Sequence, residues 1–174
     1  MTSSLGMIKI DGIGLGDLPR IGLFATDTIV TGSQATESDE PSARGLSDGV
    51  LIVHGHSDLT EEGASTARTF GTRVVAVGLS GNAGVYSLSV SDADGRRRHL
   101  MDVLEKSSVE LGHPLEEELD DTRMTEESAL ALFERLTGIG LGNVRDSEFQ
   151  VLRPAQEHDE TEERPFLKRL FGLH

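Results

Sequence analysis

Three side chains have the type and spacing to hold a metal ion: His54, His56 and Asp58, in the run His54-Gly55-His56-Ser57-Asp58. On an extended chain alternate residues point to one side. The two imidazoles and the carboxylate would then converge, as His-x-His pairs do in hydrolases whose bound ion activates water. The run follows a short apolar stretch, Val50 to Val53, and precedes an expected helix. In α/β sheets, ligands gather where a strand ends and a helix begins. This reading makes the chain a small metal-dependent hydrolase, with zinc or another divalent metal as its cofactor. It needs further ligands, and His99, His113, His158 and His174 fall in no recognisable pattern. The plainer reading has no cofactor and no catalytic residue, and leaves Asp58 as the cap of the helix that follows.

The remaining motifs carry less chemistry. Gly12, Gly14 and Gly16 suggest a phosphate loop, but a strand rather than a helix is expected next, and the third glycine comes too early for a dinucleotide fingerprint. Asp92-Ala93-Asp94-Gly95 suggests a calcium loop, yet the twelfth position is Val103, where a bidentate glutamate is required, so a hairpin turn explains it better. Arg96, Arg97 and Arg98 form the one basic cluster. Strand alternation puts Arg96 and Arg98 on one face, to bind an anion or to protect an edge strand from pairing. No Ser-His-Asp or paired-carboxylate spacing stands out.

The elements that must position these residues read as follows. Met7 to Ile10, Ile21 to Thr31, Val50 to Val53 and Arg73 to Leu79 have the apolar, β-branched character of strands. Val85 to Ser91 alternates, with Tyr86, Leu88 and Val90 on one side and Ser87, Ser89 and Ser91 on a side expected to be wet. Arg96 to Leu104 returns from the Asp94-Gly95 turn, and Ser107 to Leu111 extends the sheet. A helix is expected from Leu59 to Phe70, capped by Asp58 and stopped by Gly71. With its flanking strands it makes a crossover between parallel strands. A second helix, Thr125 to Thr137, gathers Ala129, Leu132, Phe133 and Leu136 on one face. The expected fold is α+β: a single mixed sheet of about five or six strands with two helices packed on one face. The domain spans residues 7–153, with a mobile polar loop at 32–49. An acidic linker follows at 154–163, then a short amphipathic helix at 164–174.

The chain has 174 residues, enough for one domain with a real core. It has no cysteine, which excludes disulfides and thiolate metal sites. Its net charge of −14 repels nucleic-acid phosphates and anionic lipids, so neither nucleic acid nor membrane is an expected partner. Lysine occurs only at Lys9, Lys106 and Lys168, and the arginine bias points to a high-GC bacterial genome. The acidic excess also fits salt adaptation. The opening residues show no secretory pattern, Met7 is an alternative start, and a cytoplasmic location is expected.

Between residues 73 and 138 lie an apolar strand (RVVAVGL), an alternating strand with a DG turn (VYSLSVSDADGRRRH), a GHPLEEE link and a helix ending LFERLTG. This order resembles small uncharacterised actinobacterial domains of unknown function. The resemblance implies a bacterial cytoplasmic domain and supplies no catalytic residue.

The absence of a catalytic set favours a non-catalytic interaction or regulatory module over an enzyme. Its expected contact surface is the terminal stripe of Phe166, Leu167, Leu170 and Phe171, which is too short to hold a helix alone and must dock on something. Another protein is the expected partner, met by laying the stripe into a groove.

Overall fold

A computed structural model describes residues 4–103, 107–118 and 123–155. The acidic linker beyond Ala155 and the stripe of Phe166, Leu167, Leu170 and Phe171 lie outside the described residues.

Among the described residues, nine strands form one sheet: β1 (Leu5–Asp11), β2 (Leu23–Thr31), β3 (Ser42–Leu46), β4 (Gly49–His54), β5 (Val74–Ser80), β6 (Val85–Asp92), β7 (Gly95–Val103), β8 (Ser107–Gly112) and β9 (Glu148–Pro154). Their order is β2-β9-β3-β4-β1-β5-β6-β7-β8, and every neighbouring pair is antiparallel. The helices are α1 (Gly32–Glu37), α2 (Gly63–Phe70), α3 (Glu126–Thr137) and α4 (Leu141–Arg145). This corrects the expected mixed sheet of five or six strands with two helices on one face.

Two physical reasons account for the difference. First, the polar stretch expected as a loop at 32–49 contains α1 and β3. Thr31 caps α1 by accepting from the Gln34 amide, and Ser42 to Leu46 pairs with β4 in unbroken register. Backbone pairing, which polar side chains do not prevent, makes a strand that composition hides. Second, β4 and β5 do run parallel on either side of the helix between them, but β1 lies between them and is antiparallel to both. The crossover is thus split by the first strand.

Alternation on the central strands divides the core. Met7, Val53, Val75, Val77 and Leu88 face one way and pack under α3, whose Phe133 is fully buried. Ile8, Ile10, Ile52, Val74 and Ala76 face the other way and pack with Leu59 and with Ala67 of α2. Helices therefore cover both faces, because β1, β4 and β5 are apolar on both sides. α3 starts at Thr125, whose hydroxyl accepts from the Ser128 amide, and ends at Gly138 in the left-handed conformation, as its cap signals require. No helix among the described residues is long and apolar enough to cross a membrane.

Candidate functional site

The His54–Asp58 run forms a turn that leaves β4 and folds back against the end of α1. The buried His54 ring accepts the His56 amide at Nδ1 (3.1 Å), and the exposed His56 ring meets the Glu37 carbonyl at Nε2 (3.1 Å). The Gly55 amide donates to the Ser38 carbonyl at 2.8 Å. The backbone is turned, not extended, so the alternation that would aim both rings at one point does not apply. Among the described residues, no three histidine or acidic side chains are grouped to hold a metal ion.

Asp58 instead anchors a polar seam. Its carboxylate accepts from the Thr60 amide (2.8 Å), the Thr60 hydroxyl (2.6 Å) and the Ser87 hydroxyl (2.7 Å). The Ser89 hydroxyl donates to the Thr60 carbonyl at 3.0 Å. The seam holds down the 3-10 turn Thr60–Glu62 that leads into α2. Asp58 is therefore not the N-cap of α2: it holds the first residue of the 3-10 turn, and α2 starts later than the sequence suggests. The serine side of β6 is not wet: Ser87, Ser89 and Ser91 are fully buried beneath this turn and α2. The sheet accommodates polar side chains there because Asp58 and Thr60 satisfy two of them.

The fold brings serine, histidine and aspartate into one neighbourhood, since His99 on β7 pairs with Ser89. The geometry is not that of a nucleophile and base. Ser87 donates directly to Asp58 and is wholly buried, and the buried His99 Nδ1 has no hydrogen-bond partner. Burial pushes the His99 pKa below its ordinary value, and Arg96 adds to the effect, while Glu61 and Asp58 oppose it.

The arginine cluster also differs from simple alternation. A bulge between Val90 and Ser91 inserts Arg97 into β7, so Val90 pairs with Arg98 and Ser91 with Arg96. Arg96 and Arg98 thus take opposite faces. Arg96 reaches Glu61 at 3.3 Å, and Arg97 binds Asp92 and Asp94 across the hairpin turn. Arg98 turns inward under the link between β8 and α3. It donates to Glu118 from Nε (2.6 Å) and Nη2 (2.7 Å), and to the Gly112 carbonyl (3.0 Å). The hydrogen bonds to Glu118 raise the Arg98 pKa against the effect of burial. Burial works against the Glu118 charge, but the Arg98 hydrogen bond and the Leu115 amide outweigh it and hold the carboxyl below its ordinary value.

This clamp walls a cleft of about 370 Å³ between β7–β8 and the first turns of α3. Leu100, Met101, Val109, Met124 and Leu132 give it an apolar lining. Asp102, Glu110, Glu118 and Glu127 supply four carboxylates, two of which, Glu110 and Glu118, are paired with Arg98, and Arg123 and Arg135 add two cations. The buried Asp102 carboxylate accepts from the Met124 amide and the Ser108 hydroxyl, both at 3.2 Å, and so ties the start of α3 to the sheet. Sequence reasoning missed this site. The available signal was Asp102 itself, a carboxylate two residues after Leu100 and on the face that Tyr86 and Leu88 share.

No family model matches the chain, and neither a curated protein nor a solved structure matches it. The likeness to actinobacterial domains therefore rests on the sequence features alone.

Proposed function

We propose that the chain is a non-catalytic interaction module that binds an apolar, cationic peptide segment in the cleft between β7–β8 and α3. The observation that carries this reading is the cleft itself. Its volume falls within the roughly 300–1,000 Å³ typical of ligand pockets, and its lining sets apolar side chains beside carboxylates. The described lining offers hydroxyls at Ser108, Thr125 and Ser128, but no histidine or lysine beside them to serve as a base. The Thr125 and Ser128 side chains are already engaged in capping α3.

The adjoining sheet edge supports the same reading. Both edge strands carry exposed large apolar residues, Phe24 and Ile29 on β2 and Leu111 on β8. β2 is interrupted by an irregularity between Ala25 and Ile29 and carries Asp27 within it, which are devices that discourage pairing. β8 pairs with β7 in unbroken register and holds one charged residue, Glu110. It is the less protected edge, and it borders the cleft.

Selection from a displayed peptide library tests the proposal, using the wild-type chain and an Ala131→Trp variant that fills the cleft from α3. Peptides rich in lysine, arginine and large apolar residues should enrich on the wild type. They should lose binding to the variant at an unchanged melting temperature. Equal binding to both proteins would remove the cleft as the site.

A further inference from the structure

We infer that the partner is an extended segment of another protein, which pairs with the free edge of β8 as a tenth strand and turns alternate apolar side chains over the cleft. This rests on the proposed peptide-binding role and names the form in which the peptide is taken.

The backbone of β8 is the part of the site still without a counterpart. All six of its residues pair with β7 in one register, and among the described residues nothing pairs with its other side. In an antiparallel pair alternate residues exchange hydrogen bonds with the neighbour, so the others turn their N–H and C=O groups outward. The described parts of the link between β8 and α3 leave that edge open. They lie over the face of β7, with Glu118 on Arg98 and the Met124 amide on Asp102. β8 carries no proline, no lysine and no bulge to discourage pairing, whereas β2, at the far edge, is interrupted. It is also held in place, by Arg98 on the Gly112 carbonyl and by Ser108 on Asp102, which reduces the cost of ordering it on binding.

The side chains around this edge suit a strand. Ser108 and Glu110 share the α3 face with Asp102 and Leu100, so alternate residues of an added strand would sit about 4.5–5.5 Å from them, at the mouth of the cleft. The residues between would lie on the other face beside Leu111, which is half exposed. A helix in the cleft would leave the β8 backbone groups to water. A second copy pairing through the same edge would join two bodies of net charge −14.

Two capped peptides of equal length and equal leucine and lysine content test the inference on the full chain. One alternates the two residues; the other sets leucine at the helical spacing of three and four. Equal charge cancels their general attraction to an acidic protein. The alternating peptide should bind about tenfold or more tightly, because only it gains the main-chain hydrogen bonds. Single N-methyl groups along it should weaken binding at every second residue and leave the residues between nearly unaffected. In the free chain, one alternate set of β8 amides should exchange quickly with solvent, and it should slow when the alternating peptide is added. Slow exchange of all β8 amides before addition would give the edge to the chain's own tail or to a second copy, and would overturn the inference. So would equal or tighter binding of the helical peptide, binding of neither, or an N-methyl pattern without a period of two. If library peptides still lose binding to Ala131→Trp in those cases, the binding-module reading stands and only the strand mode falls.

Discussion

Gly78 sits in the middle of β5 opposite Gly6 and Ser87, directly beneath the Asp58 carboxylate. Strand propensity alone says that Gly78→Ala should stabilise, because glycine inside a strand costs roughly 0.5–1 kcal/mol relative to alanine. The structure gives the opposite sign. A methyl group at this position would fall well inside van der Waals contact of the Asp58 carboxylate. To make room, Asp58 must leave the Thr60 amide, the Thr60 hydroxyl and the Ser87 hydroxyl. Asp58 can regain water, since it is exposed, but the Ser87 hydroxyl is fully buried and keeps only the longer contacts to the Thr60 hydroxyl (3.2 Å) and the Gly78 carbonyl (3.4 Å). Leaving a buried hydroxyl poorly satisfied costs about 1–3 kcal/mol. The net loss expected for Gly78→Ala is therefore about 2 kcal/mol, read as a lower urea midpoint at unchanged slope. A double-mutant cycle isolates the cause. In an Asp58→Ala background the obstacle is gone, and Gly78→Ala should cost less than about 0.5 kcal/mol or become stabilising. A neutral or stabilising effect in the wild-type background would refute the seam as described. So would equal losses in both backgrounds.

Four further outcomes follow from the same geometry. Phe133→Ala should lose about 3–5 kcal/mol by opening a cavity between α3 and the sheet; an unchanged melting temperature would remove α3 from the core. Glu118→Gln leaves the Arg98 guanidinium buried with only the exposed Glu110 as a carboxylate partner, so about 3 kcal/mol should be lost in chemical denaturation, and a change under 1 kcal/mol would deny the clamp. The folded-state pKa of His99 is depressed, so the unfolded chain takes up the proton first as pH falls below about 6.5. Stability should hold above that pH and decline below it, with a shallower decline in His99→Gln; identical slopes in the two proteins would contradict this. Zinc should leave the melting temperature of untagged protein unchanged, because the His54 ring is engaged by the His56 amide and the His56 ring by the Glu37 carbonyl. A zinc-dependent rise that His54→Ala abolishes would reinstate the metal site.

What could be read in the sequence was whatever depended on neighbours along the chain. The cap at Thr125, the stop at Gly138, the hairpin at Gly95 and the apolar face of α3 are local, and the structure has each of them. β3 was illegible because its pairing energy comes from strands distant in sequence, β4 on one side and β9 on the other. The buried serine face of β6 misled for a related reason. Alternation says which side chains share a face, but not whether a distant Asp58 will satisfy the polar ones. The metal reading assumed that residues 54–58 continue as a strand. A turn carries no such alternation, and Gly55 allows it, because a side chain there would strike the backbone of Glu37 and Ser38. The cleft was hidden because its walls come from β7, β8 and α3, and no single segment contains enough of it.

The sheet divides its work between its middle and its edge. β1, β4 and β5 are buried along nearly their whole length and covered by helices on both faces. Such strands open only with the whole molecule. β8 packs extensively only on β7, and almost all of its residues are exposed. Regions with few buried contacts open at low free energy, and binding surfaces that must accept a partner are drawn from them. An unsupported β8 would nonetheless lose the geometry of the cleft. Arg98 answers that need. Placed inward by the Arg97 bulge, it ties the end of β8 through the Gly112 carbonyl and the following link through Glu118. Asp102 does the same for the start of α3 through the Met124 amide. The two charged side chains buried on this face of β7 thus hold both walls of the cleft to one strand. The proposed binding role gives a reason for charge at positions where a purely structural strand would carry apolar residues.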